Sequence, residues 1–138
     1  FFKQKTAYEI YQCDWSSDVC SSDLDAGGHL VCFKREDRSG ILRFDIAYGK
    51  AWGALGFGFG SRELGNRAAK QQMFYTAIAA ASGGRVVPAP GGVLIRDASG
   101  SVIGCVGISG DTSDKDEVCA VAGIEAAGLK ADPGAPAA

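Results

Sequence analysis

The chain has 138 residues, 46% of them apolar and 22% charged, with a formal net charge of −2. That length suffices for one domain with a sizeable core. A charge so near zero, with no basic stripe, argues against general nucleic-acid binding, and no apolar run approaches membrane-spanning length.

The N-terminal segment stands apart from the rest. Residues 1–10 (FFKQKTAYEI) resemble the in-frame translation of a short-read flow-cell primer. Residues 14–24 (DWSSDVCSSDL) resemble that of the read primer that follows it in library adapters. Residues 11–13 fall where a sample barcode would stand. Two matches in the right order and at the right distance imply that residues 1–24 are adapter-derived and replace the protein's own N-terminus. They are therefore set aside from fold reasoning. Removing Lys3, Lys5, Glu9, Asp14, Asp18 and Asp23 leaves twelve basic and twelve acidic residues in 25–138, a neutral domain. Cys13 and Cys20 leave with the adapter. Cys32, Cys105 and Cys119 remain, widely spaced and in apolar contexts (LVCF, IGCV, EVCA), and read as buried free thiols. Free thiols favour a reducing, cytoplasmic compartment, although any signal peptide would have gone with the true N-terminus.

In chain order, residues 25–28 (DAGG) form a tight turn and 29–33 a short apolar strand, the Gly pair supplying positive φ. Residues 34–40 are a charged loop. From Leu42 to Phe59, Phe44, Ala47, Tyr48, Ala51, Leu55 and Phe59 recur at helical spacing. Four glycines weaken that helix intrinsically, so close packing against a sheet must support it. Ser61 is placed to cap a short helical turn over 62–66, and a helix over 70–81 ends at Gly83-Gly84. Residues 85–87 read as a strand and 88–92 as a turn. Residues 93–96 and 101–108 read as a hairpin about 97–100. A last helix covers 114–127, with Ser113 and Asp116 as a variant capping box and Gly128 as its stop. Residues 130–138 read as a disordered Pro/Ala/Gly tail. The sum is an α+β domain with a mainly antiparallel sheet.

Four stretches together resemble one family: DAGGHLVCFKRED (25–37), AYGKAWGALGFG (47–58), PAPGGVLIRDASGSVIGCVGISG (88–110) and DKDEVCAVAGIEA (114–126). This is similar to the HbpS-like, GlcG-like haem-binding (haem-degrading) family, also found as the C-terminal domain of PduO-type adenosyltransferases. The resemblance implies a profilin-like, three-layer α/β/α fold around a five-stranded antiparallel sheet with strand order 2-1-5-4-3. It also implies haem or a related tetrapyrrole as cofactor, and a homo-oligomer. The sequence departs from the family in three places. The first helix and first strand are missing or replaced, Cys105 stands where Ala is usual, and Lys115 stands where Gln is common. In the implied order the first strand is internal. Residues 18–24 are poor strand formers, so the chain is expected to be unstable or to aggregate through unpaired edges.

Several residues have chemistry to offer. Unpaired N–H groups of Ser109, Gly110, Asp111 and Thr112, at the start of the last helix, favour an anion, unless Ser113 and Asp116 satisfy them internally. Lys50 is the sole cation on a small-residue helical face and points either into a pocket or out to solvent. Arg35 has the planar fork that clamps a carboxylate or propionate, or it belongs to an ordinary solvated loop. His29, the only histidine, is the candidate haem or metal ligand, but also suits an exposed strand start. Tyr48, Tyr75 and Met73 are further ligand types that helix packing also explains. No catalytic triad, nucleophile elbow, P-loop or zinc spacing is present. Haem binding ranks first because of the family. The alternatives are an accessory or enzymatic role on small hydroxy-acids or aldehydes through Lys50, Arg35 and the 109–113 loop, and a ligand-free oligomerisation or sensor-partner domain.

Overall fold

A computed structural model describes residues 19–135. The adapter-like reading of residues 1–18 and the last three residues of the expected tail lie outside the described residues. Among the described residues, five strands and four helices follow in the order β1 (Cys20–Asp25), β2 (Leu30–Arg35), α1 (Leu42–Phe57), α2 (Ser61–Lys70), α3 (Gln72–Ala81), β3 (Gly92–Arg96), β4 (Val102–Ser109), α4 (Ser113–Ala126) and β5 (Lys130–Asp132). All strand pairs are antiparallel, in the order β2-β1-β4-β3-β5.

The place of the family's first strand in the sheet is therefore filled. The segment from Cys20 to Leu24 fills the internal place between β2 and β4, Cys20 lying opposite Arg35 on one side and Ser109 on the other. The β1–β2 turn forms as its residues require. Gly28 takes φ 81°, and Asp25 Oδ1 accepts the N–H groups of Gly27 and His29 at 2.9 Å each.

The sheet has an apolar layer on each face. Val93, Ile95, Val106 and Ile108 pack with Cys119, Ala120 and Ile124 of α4. Leu24, Leu94 and Cys105 pack with Ala51 and Ala54 of α1. The alternation of β3 and β4 sends successive residues to opposite layers, and burying each Leu, Ile or Val contributes about 1.5–3 kcal/mol. Small residues set the height of α1. A Cβ on Gly107 would collide with the Ala47 carbonyl, and one on Gly92 with that of Lys50. Those glycines belong to the strands. Of the helix glycines, Gly49 and Gly53 face Val87, Val86 and Leu64 rather than the sheet, and Gly56 and Gly58 have no such neighbour within 4 Å. The expected seating of the helix glycines on the sheet is thus corrected: strand glycines under Ala47 and Lys50 provide the close approach.

Five further local expectations are corrected. Residues 85–87 are not a strand. Val86 packs over Gly53 and Leu64, Val87 N–H donates to the Gly49 carbonyl at 3.2 Å, and the segment crosses α1 before Pro88. The edge beside β3 is instead taken by 130–132, within the expected disordered tail. Arg96 binds Asp132 there at 2.8 Å, and the Pro133 carbonyl accepts Arg62 N–H. Ser61 opens a full ten-residue helix, but its hydroxyl accepts the buried Gly92 N–H at 2.7 Å rather than capping that helix. Ser113 does not cap α4 either. Thr112 holds the cap position without a side-chain bond. Cys119 is disulfide-bonded, not the expected thiol, whereas Cys20 and Cys105 are free and buried. Among the described residues no helix is long and apolar enough to cross a membrane.

Candidate functional site

The folding of β1, β2 and β4 gathers most of the sequence-derived candidates at one end of the sheet. Arg35 ends β2, Ser109 ends β4, and Cys20 sits between them in register. Two strand spacings, about 10 Å, separate the outer pair. Ser109 is buried, and its hydroxyl accepts a bond from Arg43 at 3.3 Å. Burial pushes the Cys20 thiol up to about 11, with Arg35 and Arg43 pulling the other way.

Lys50 reaches the same end but is neither solvated nor open to a pocket. Its side chain is 2% exposed, and Nζ lies 2.9 Å from Asp116 Oδ2 and 3.0 Å from the Ile108 carbonyl. The other Asp116 oxygen, Oδ1, accepts the N–H groups of Gly110 at 3.1 Å and Asp111 at 3.0 Å. The donors before α4 are thus met by a carboxylate from its own first turn, and that carboxylate is matched by a lysine from α1. Burial, the largest cause on both, pushes Lys50 down and Asp116 up, each opposing that trend in its partner. Asp111 pairs with Lys115 at 3.0 Å and accepts Thr112 N–H at 2.7 Å. This arrangement ties two helices on opposite sheet faces together. It leaves Arg35, exposed at the rim, as its outward-facing cation among the residues singled out.

His29 lies at the opposite end. The six residues of β1 separate it from the 109–112 loop by about 20 Å. Its side chain is 81% exposed, and Nδ1 stands 3.2 Å from Asp25 Oδ1. Beside this turn the outer side of α1 forms a surface that the sequence reading did not single out. Trp52 lies beside Gly28 and lines two neighbouring clefts. The smaller, about 150 Å³, lies against Gly27, Gly28, Leu55 and Gly56. The larger, about 360 Å³, lies between Trp52 and Phe57 of α1, Ile78 of α3, and Val86. The Arg85 guanidinium covers the Trp52 ring at 4.2 Å, its Nε donating to the Ser82 carbonyl at 2.8 Å. Among the described residues no cluster of three His, Cys, Asp or Glu side chains is placed to hold a bare metal ion.

An antiparallel sheet covered by helices on both faces, with an apolar slot on an outer helix, defines a small α/β/α domain. The model of the HbpS-like family, described as haem degrading protein HbpS-like, matches residues 14–125, and the chain belongs to that family. Solved structures agree. A crystal structure of a PduOC–haem complex superposes with TM-score 0.72 at 27% identity, over 80% of this chain and 79% of that one. Klebsiella pneumoniae protein ORFY gives 0.70 at 27% identity, over 80% of this chain and 74% of its own. A double mutant of Streptomyces reticuli HbpS gives 0.65 at 25% identity, over 79% and 70%. No curated protein matches the chain.

Proposed function

We propose that this domain binds haem or a closely related tetrapyrrole. The observation that carries the reading is family membership together with the fold shared with a relative crystallised with haem. The local chemistry suits it. A bare ion needs several protein donors, but a porphyrin supplies four nitrogens itself and asks the protein for one or two axial ligands. His29 is exposed beside the Trp52 surface, with Asp25 orienting its ring, and would hold the iron. Bound haem would supply the iron chemistry, while these side chains bind and orient it. The small-acid alternative has thinner support, because Asp116 already neutralises Lys50 and occupies the N–H groups of Gly110 and Asp111. Self-association is part of the proposal. Leu30, Phe33, Ile41 and Leu42 expose apolar surface along β2 and the start of α1.

A hemin titration followed in the Soret region tests the reading. We expect a saturable shift in the full chain and a weakened or altered band in His29→Ala. A full chain that leaves the hemin spectrum unchanged refutes haem binding.

A further inference from the structure

Resting on the haem reading, we propose that the Trp52 slot seats the flat face of an anionic tetrapyrrole, with the Arg85 guanidinium meeting one of its carboxylates. Three observations converge there. The first is an apolar slot of about 360 Å³, within the range of small-molecule sites and open enough for a flat ring to enter by its edge. The second is the charge at its rim. Arg85 is exposed, stacks on the indole and donates to one backbone carbonyl, and among the described residues no carboxylate pairs with it. Arg62, Arg67 and Arg96 each bind an acidic side chain, so Arg85 stands out as a cation held in place yet left for an external anion. A planar guanidinium fixed over an aromatic ring presents its remaining N–H groups as a carboxylate fork.

The third is Gly56. It is the penultimate residue of α1, in the last turn, where glycine is a weaker helix former than alanine. Gly49, Gly92 and Gly107 are required because a Cβ would strike neighbouring atoms. A Cβ on Gly56 would meet nothing within 4 Å. No internal packing explains its small size, and it forms the floor shared by the two clefts that Trp52 walls. The missing side chain keeps that floor flat. The slot therefore asks for a planar apolar body with an acidic edge, which is the chemistry of a porphyrin bearing propionates.

The test uses the full chain with two iron-free probes, protoporphyrin IX and its dimethyl ester, each titrated by absorbance and fluorescence. Arg85→Gln should weaken the diacid about tenfold and leave the ester unchanged, because only the charged hydrogen bond is lost. Gly56→Leu should weaken both by filling the floor. It should keep or raise the melting temperature, since leucine is the better helix former. The slot assignment is overturned if both variants bind the diacid like the wild type. It is also overturned if the wild type takes hemin but not the metal-free ring, which leaves haem binding standing through the iron alone. A wild type that takes neither hemin nor porphyrin sinks both readings.

Discussion

Two serines in the middle of the sheet offer the sharpest test of what β1 contributes. Ser21 lies opposite Ile108 in the α4-side layer, and Ser22 lies opposite Gly107 under α1. They are 1% and 0% exposed, and among the described residues neither hydroxyl has a hydrogen-bond partner. A buried polar group left unsatisfied costs about 1–3 kcal/mol. Taking the low end for each, Ser21→Ala with Ser22→Ala should stabilise the chain by about 2 kcal/mol. For a domain of this size that raises Tm by about 6–10 °C. Serine and alanine are both modest strand formers, so backbone preference does not compete with the effect. The contrast is Ser61→Ala, which strips the buried Gly92 N–H of its acceptor and should cost about 1–3 kcal/mol. The same chemical change thus has opposite signs at the two places. Urea unfolding followed by far-UV circular dichroism reads both, with an unchanged slope showing that stability alone has moved. A double variant no more stable than the wild type refutes the reasoning. It would also remove the physical argument that residues 20–24, with their resemblance to translated adapter, are a poor fit to the sheet they complete.

Other outcomes follow from the same packing. Lys50→Met strands the buried Asp116 carboxylate and should cost about 3–5 kcal/mol in denaturant unfolding, while Lys50→Met with Asp116→Asn should recover part of that loss. Gly107→Ala drives a methyl into the Ala47 carbonyl and should cost about 3 kcal/mol, read as a drop in Tm. Glu117, held by Arg62 at 2.8 Å, is raised above its ordinary 4.5 because burial outweighs that partner. The native state then binds its proton more tightly than the unfolded chain does. The contribution of Glu117 is full below 4.5 and is lost as pH rises through the raised value. The Tm of the wild type relative to Glu117→Gln should therefore fall across that window, and a rising difference contradicts the assignment.

Much of the fold was legible because local signals agreed with tertiary ones. The Gly-Gly turn at 27–28, the 93–108 hairpin and the small-residue face of α1 each sit where turn chemistry or spacing puts them. The misreadings share a cause. Val86 and Val87 have strand-like side chains, but their partner is a helix with glycines at Gly49 and Gly53, and a local window does not see that. Lys130 to Asp132 has a loop-like composition, yet an open strand edge and the Arg96–Asp132 pair order it. At the candidate sites, the sequence supplied residue types without distances. It placed a cation and an anion-seeking loop and offered Asp116 as an internal partner for the loop's donors, but gave no sign that Lys50 would meet the same carboxylate. Arg85 was hidden inside an apparent strand. The Gly56 signal was present in the chain, but only the absence of neighbours around it separates it from glycines needed for packing.

The backbone contact of α1 with β3 and β4 has a consequence for binding strength. A helix resting on carbonyls rather than on flexible side chains has a single seat, so the far side of α1 is held as firmly as the sheet beneath it. Trp52 and the flat floor beside it are then rigid before any partner arrives. Affinity is commonly lost to freezing mobile groups on association, at about 0.5–1.5 kcal/mol for each such side chain. On this surface that loss would fall almost wholly on the ligand, and the tetrapyrrole proposed for it, with few rotatable bonds of its own, would have little to lose.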